Sequence, residues 1–346
     1  MKAVKNFFTL LITLFASMVY FQELDRERNY RKILVLRPGD PAPFPLDVRL
    51  SGIYVAYGNA SMIADKYSPR VPVSLAQFKF MKFDLGQGFT IPDNKIGRKS
   101  VANKVEFNAT EATGSTEDYG LEDIIPQDDI DNAPAGYDPE GRAVEGIANY
   151  NMLAREVRVA NLAFDASNYT ATTNKSTLTY PWSDYTNSHP IKDINAALDK
   201  MVMRGNVITM GQSVWTALRS HPDIVSAVLR NPGSEGIITR EQFAALFELE
   251  ELLVGQAWVN AAKKGQTPSL SRAWGKYCSI TCRDILADLR NRVSFSLTAQ
   301  FGSKVAFRSF DSNIGLRGAV KVKAGESVKE LVTAPDLGYL FSNAAA

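Results

Sequence analysis

Side chains that usually carry covalent, redox or metal chemistry are scarce in this sequence: its 346 residues include two cysteines and two histidines. Cys278 and Cys282 lie in Lys276-Tyr-Cys-Ser-Ile-Thr-Cys282, which reads as a strand. Extended backbone would hold their α-carbons about 13 Å apart, beyond the reach of a disulfide. His189 and His221 lie far from them in sequence and form no zinc-ligand spacing. Two free thiols in a reducing compartment are therefore expected. There is also no Walker-type loop, dinucleotide-binding glycine fingerprint or nucleophile elbow.

An excess of charge of one sign is missing too. The formal net charge is +2, so the composition gives no sign of a concentrated basic surface that grips nucleic acid nonspecifically. Hydrophobic residues make up 45% and charged residues 22%, a globular balance that favours neither disorder nor a multispan membrane protein. The length allows about one to three domains with a substantial core.

The remaining reactive-looking groups have plainer readings. His189 and His221 each precede a proline at a predicted helix entrance and read as turn histidines. Glu248, Glu250 and Glu251 straddle a helix end and a strand start, which scatters them. Asp128, Asp129 and Asp131 read as a solvated acidic loop rather than a hard-cation site. Gly86-Gln-Gly88 is too short for a phosphate cradle and reads as a kink. No catalytic, cofactor-binding or metal residues are assigned.

Charge is nevertheless segregated along the chain. Glu111 to Asp131 holds eight acidic residues and no basic one, whereas Lys304 to Lys323 holds five basic residues and one acid, Asp311. Two readings stand: separate solvated surfaces, or complementary faces that meet between neighbouring subunits. At the N-terminus, Lys2 and Lys5 precede the uncharged run Phe7 to Phe21, which imitates a secretory signal. That run is short for a membrane span and lacks a convincing small-x-small cleavage site. Glycosylation triplets at Asn59, Asn108, Asn168 and Asn174 would suit an exported glycoprotein, but such triplets are common by chance.

Leu75 to Thr90 and Val101 to Thr110 read as two strands joined by the polar tip Ile91-Pro-Asp-Asn-Lys-Ile-Gly-Arg-Lys-Ser100, a long hairpin. Glu140 to Phe164 reads as a helix whose stripe is Ile147, Tyr150, Ala154, Val157, Ala160 and Phe164. Further on, Ile191 to Met201 is helical and Asn206 to Met210 a short buried strand. Ser213 is placed to cap a helix, Pro222 to sit in a first turn, and Thr239 with Gln242 to form a capping box. Leu252 to Ala261 and Ala273 to Arg283 read as strands. Val293, Phe295, Leu297, Ala299 and Phe301 alternate with Ser294, Ser296, Thr298 and Gln300, the period of a half-buried strand. Gly120, Gly136 and Gly141 mark candidate hinges.

Several collinear segments carry a resemblance. They include Val48-Arg-Leu-Ser-Gly-Ile-Tyr-Val-Ala-Tyr57, Pro69-Arg-Val-Pro-Val73, Trp182-Ser-Asp-Tyr-Thr-Asn-Ser-His-Pro190 and Val214-Trp-Thr-Ala-Leu-Arg-Ser-His-Pro222. Phe247-Glu-Leu-Glu-Glu-Leu-Leu-Val-Gly255 and Gly325-Glu-Ser-Val-Lys-Glu-Leu-Val-Thr-Ala-Pro-Asp-Leu-Gly-Tyr-Leu-Phe341 continue them. Together they resemble tailed-phage major capsid proteins of the Hong Kong 97-like fold. The resemblance implies an α+β fold with an N-terminal arm at 47–74 and an extension loop at 75–115. It implies a discontinuous peripheral domain at 116–185 and 293–346, whose spine helix is about 140–164, and an axial domain at 186–292. Residues 1–46 stand outside it and are expected to reflect an over-long gene start or a removable arm.

The function implied is a non-enzymatic structural one: self-assembly, as hexamers and pentamers, into the icosahedral shell of a virion. The shell would be built in the host cytoplasm and would enclose double-stranded DNA without sequence-specific binding. The resemblance also admits portal, scaffold and decoration proteins as partners, and no membrane. Lys95, Arg98 and Lys99 at the hairpin tip, and Arg142, Arg155 and Arg158 on the spine helix, are the candidate interface residues. Some relatives join a loop lysine to a neighbour's asparagine, but no acceptor or catalytic glutamate aligns here, so a noncovalent shell is expected. A bacterial nanocompartment shell and an exported glycoprotein are the alternatives.

Overall fold

A computed structural model of the chain describes residues 47–82, 91, 94–96, 104, 110–169, 174–229, 236–263, 265–289 and 292–346. The uncharged run Phe7 to Phe21, the Gly86-Gln-Gly88 kink, and Arg98 and Lys99 lie outside them. No helix among the described residues is long and apolar enough to cross a membrane.

The first half of the chain supplies helices α1 (Val48–Ala56) and α2 (Ala64–Tyr67), then strands β1 (Arg70–Val73), β2 (Gln77–Lys82), β3 (Thr110–Ser115) and β4 (Glu117–Pro126). Helices α3 (Gln127–Asp131) and α4 (Pro139–Phe164) follow, then β5 (Lys175–Thr177). The middle contributes α5 (Pro190–Lys200), β6 (Val207–Gly211), α6 (Gln212–Leu218), α7 (Pro222–Leu229), α8 (Arg240–Leu246) and β7 (Glu251–Gly255). Two short strands, β8 (Trp258–Asn260) and β9 (Leu270–Arg272), precede β10 (Cys278–Thr281), β11 (Ser296–Asp311), β12 (Ala319–Val332) and β13 (Gly338–Ser342).

One sheet has the order β1-β11-β12-β4 and the other β5-β13-β10-β6-β7. The first therefore draws on both ends of the chain, and the middle segment is inserted between its halves. The α4 helix lies across β12 and β4, and α1 fills the space between α4 and β11. Its buried positions are Val144, Ile147, Ala148, Asn151, Arg155, Glu156, Val159, Ala160 and Ala163, besides Glu140 and Gly141 in the first turn. The expected stripe is thus rotated: Tyr150 is 63% exposed. Hydrophobicity alone misplaced the face because three of its members are polar and find partners inside.

The C-terminal alternation is corrected in the same way. Ser294, Ser296 and Thr298 are as buried as Phe295, Leu297 and Ala299, because α2, β1 and α4 cover the polar side of β11. Thr298 donates to the Ser68 carbonyl at 3.2 Å and Ser296 to the Tyr67 carbonyl at 3.4 Å. Residues 338–345 do not stay with the first sheet, where the domain division at 293–346 put them. β13 pairs with β10 and β5, and Tyr339, Phe341, Ala344 and Ala345 lie in the core of the middle unit with Trp182. Sheet pairing between segments so far apart leaves no local signal.

Helix entrances follow the expected chemistry in two places. Thr239 accepts from the Gln242 amide while the Gln242 side chain accepts from the Thr239 amide, a complete capping box. Pro222 begins α7. Ser213, in contrast, lies inside α6, whose N-cap is Gly211. Gly255 faces the Trp274 ring, which a Cβ there would meet at 2.0 Å; glycine is what lets the indole lie over the end of β7. Of the candidate hinges, Gly120 sits in the β4 ladder opposite Gly325 and Gly141 in the first turn of α4, while Gly136 has φ +88°.

Candidate assembly surfaces

The arm formed by α2 and β1 is fastened by charge rather than by apolar burial alone. Arg155, 2% exposed, forms an ion pair with Asp65 and donates to the Ser68 carbonyl at 3.2 Å and Thr298 Oγ1 at 3.0 Å. Arg70 bridges Asp65 at 2.6 Å and Glu326 at 2.6 Å. Burial works to raise the Asp65 carboxyl, but the guanidinium groups of Arg155 and Arg70 overcome it and hold the pKa down to about 2. Burial likewise lowers Arg155, with Arg70 adding to the effect and Asp65 opposing it. These charges are spent inside the subunit. Arg155 is therefore withdrawn from the candidate contact face, because a side chain consumed by three internal partners cannot reach a neighbour.

The other spine arginines differ. Arg158 donates to Glu330 at 3.0 Å and lies over the Tyr119 ring, 3.7 Å from its centroid, with 24% of its side chain exposed. Arg142 is exposed and lines a groove of about 740 Å³ between β4 and the first half of α4. Apolar groups in this groove include Leu121, Ile124, Tyr137 and Tyr150, which are 44%, 45%, 48% and 63% exposed. Glu122, Asp123 and Asp129 give it acidic groups. Because β4 is the edge of its sheet, one side of its backbone has no strand partner among the described residues.

The segregated charges meet within one chain. β4 pairs antiparallel with β12, bringing Glu122 opposite Lys323 and Ile124 opposite Lys321. Lys329 bonds Glu117 at 2.5 Å, and Arg317 bonds Asp128 at 2.8 Å. This corrects both earlier readings in part: the two stretches are complementary, but strand pairing joins them in cis.

A second surface is the hairpin. β2 and β3 pair from Gln77 opposite Ser115 to Lys82 opposite Thr110, and the expected strands beyond that pairing fall mostly outside the described residues. Among the described residues this two-stranded sheet joins no other. Phe78 and Phe80 root its base against Val71, Leu289 and Leu297. Towards the tip, Ile91 is 92% and Ile96 55% exposed, and Lys95 is exposed as well.

A third is the turn between β11 and β12. Leu316 at its tip is 99% exposed and Phe310 at its base 56%. Gly315 and Gly318 have φ of +64° and +83°, and the Gly318 carbonyl accepts from the Gln127 amide at 3.0 Å.

The groups considered for chemistry are engaged structurally. His221 is buried, and its Nδ1 accepts from the Asp223 amide at 3.2 Å, leaving Nε2 to donate to Ser188 Oγ at 3.0 Å. Burial lowers its pKa. His189 Nδ1 meets Asp223 at 3.1 Å. Glu251 bonds Lys66 at 2.7 Å and Arg283 at 3.2 Å. Cys278 is buried in β10 and Cys282 half-buried beyond its end; burial pushes both thiols up.

Comparison with known proteins gives this architecture a class. The chain is similar in fold to a phage-related protein of Bordetella bronchiseptica, with TM-score 0.69, 23% identity, and coverage of 87% of this chain and 98% of that one. It is also similar to the capsid of cyanophage P-SCSP1u, with TM-score 0.51, 10% identity, and coverage of 81% and 87%. The class is the Hong Kong 97-like capsid fold, of mixed α+β architecture.

The chain belongs to the phage major capsid protein family. The major capsid protein of Pseudomonas phage JBD67 is 50% identical over 307 residues, 88% of this chain and 99% of that protein. The counterpart from Burkholderia phage BcepMu is 24% identical over 224 residues, 61% of this chain and 69% of that protein. The family model described as phage major capsid protein E matches residues 164–267. The protein is therefore a phage major capsid protein, a structural component of the capsid.

Proposed function

We propose that the chain forms hexamers and pentamers of an icosahedral shell around the double-stranded DNA of a tailed phage, assembled in the host cytoplasm. Within a capsomer, the hairpin at 75–115 lies on the adjacent subunit. Lys95, Arg98, Lys99, Arg142 and Arg158 are its candidate interface residues, with the first three at the tip. The observation that carries this reading is the β2–β3 pair, rooted at one end by Phe78 and Phe80 and joined to no further strand among the described residues. A two-stranded ribbon is marginal by itself, so a projecting one gains from a surface to rest on. The shell is noncovalent, DNA is enclosed without sequence reading, and its further partners are drawn from portal, scaffold or decoration proteins. On this reading the protein does no catalysis.

Electron microscopy of the expressed full chain tests the proposal. Closed shells with five- and six-fold capsomers are expected. Replacing 83–109 by a short turn is expected to leave a folded subunit that makes no shells. Normal shells from that variant would overturn the role of the hairpin. Boiling shells in denaturant is expected to release single chains, whereas a ladder of multimers would overturn the noncovalent assignment. Intact mass of chains in the shells reports whether residues 1–46 are retained.

A further inference from the structure

We propose that Leu316 is a knob that seats in the groove between β4 and α4 of a second copy of this chain, at a contact separate from the hairpin. The inference rests on the shell-forming reading above. The isolated subunit leaves an exposed apolar knob and an exposed apolar groove unmatched. Leu316 is 99% exposed and therefore contributes almost nothing to packing in its own chain. A single exposed leucine is unremarkable in a protein surface. This one is held outward: Gly315 and Gly318 adopt positive φ around it, and the Gln127 amide binds the Gly318 carbonyl at 3.0 Å. The Phe310 ring lies against Gly318, where a Cβ would meet it at 2.3 Å. The turn is thus fixed before any partner arrives, which lowers the ordering cost of docking.

The groove supplies the complement. Its exposed Leu121, Ile124, Tyr137 and Tyr150 form an apolar lining that no residue of the described chain covers, and patches of this kind mark association sites. Glu122, Asp123 and Asp129 stand among them. Arg317, next to the knob, is paired with Asp128, but both side chains are more than half exposed, at 63% and 56%. Such a pair is weak, so Arg317 can turn to a carboxylate of the receiving copy at little cost. This charge match is what selects the β11–β12 turn of another copy as the occupant.

Knob and groove lie at the same end of the sheet, since Pro126 lines the groove and Gln127 holds the turn. Leu316 does not enter the groove of its own chain. The contact is consequently between copies, either passed one way from each copy to the next or exchanged reciprocally about a two-fold axis. Such contacts close only around a rotation axis, which a closed shell provides.

A photo-cross-linking residue at position 316 of the full chain, activated in assembled shells, tests the contact. Cross-links to 121–126 and 137–150 of another copy are expected. L316D is expected to raise the concentration needed for assembly by about tenfold or more, while L316M assembles as the unaltered chain does. The melting temperature of L316D should stay within about 1 °C of the unaltered subunit. Shells from L316D at unchanged concentration, cross-links confined to the hairpin at 75–115, or no protein cross-link at all would each overturn the proposal. If the unaltered chain forms no shells under any condition, the shell reading fails and this contact with it.

Discussion

Trp274 Nε1 donates a hydrogen bond of 2.6 Å to Glu156, tying a loop of the inserted middle unit to the central helix of the outer one. The same carboxylate accepts from the Ile63 amide at 2.9 and 3.1 Å and from the Ala64 amide at 2.8 Å, at the start of α2. Three parts of the chain thus converge on one fully buried side chain. Burial pushes the Glu156 pKa up, against the pull of the donors around it. A capsid subunit has to keep its arm and its two sheets in one arrangement while it is loaded at its edges, and this carboxylate is where all three are joined.

Removing that side chain should be expensive. E156A leaves three buried donors without an acceptor and is expected to lower stability by about 3 kcal/mol or more. E156Q keeps one oxygen and turns an amide towards a donor, so a loss of about 1–2 kcal/mol is expected. Since the folded-state pKa is raised, the contribution is fully present below the unfolded pKa and is lost as pH rises through the folded one. Urea unfolding should therefore show the unaltered chain gaining on E156Q as pH is lowered from neutral. A gap that is constant or narrows would contradict the assignment.

Asp65 should show the opposite dependence. Its pKa falls from 3.8 to about 2, so its stabilising contribution is present above 3.8 and is lost as pH drops through about 2. The side chain is 52% exposed, and solvent screening reduces the expected effect to about 1 kcal/mol. D65N should accordingly be less stable than the unaltered chain at pH 7, and the difference should shrink between pH 4 and pH 2.

Arg142 and Arg155, proposed together with Arg158 from the sequence, should separate cleanly. R155A abandons Asp65 and the Ser68 carbonyl inside the subunit, with an expected loss of about 3–5 kcal/mol in urea unfolding of the unassembled protein. R142E changes an exposed side chain and should leave subunit stability within about 0.5 kcal/mol. Its effect, if the groove is an interface, appears in shell yield. A stable R155A subunit would refute the internal role.

The final strand gives a fourth test. Phe341 is 2% exposed in the core of the middle unit and touches Trp182 at a ring-centroid distance of 5.1 Å. F341A is expected to cost about 3–5 kcal/mol, and deleting 338–346 to unfold the second sheet rather than merely impair assembly. Circular dichroism melting of the deletion would show loss of the cooperative transition; a native-like melt would refute the placement of β13.

The extents of elements were largely legible from local pattern. Glu140 to Phe164 was expected to be helical and Pro139–Phe164 is; Thr239 and Gln242 cap α8 because both partners of a capping box lie within one turn. The buried face of α4 was not legible, since Asn151, Arg155 and Glu156 count as surface residues on any hydropathy scale. Their partners, Tyr54, Asp65 and Trp274, lie on other elements. The interface residues divide similarly: Arg142 and Arg155 look alike as letters, and only the surrounding carboxylates and carbonyls distinguish an exposed arginine from a spent one.

By itself the sequence determined the class of the protein and the absence of any recognised catalytic motif, because long collinear segments and short-range periodicity survive in the order of residues. The tertiary structure decided which charges are internal, which sheet receives the last strand and which apolar side chains are left uncovered. Those outcomes depend on pairings such as Arg155 with Asp65 and β13 with β10, separated by tens of residues. No local preference encodes such a pairing; only the folded chain brings the partners within bonding distance.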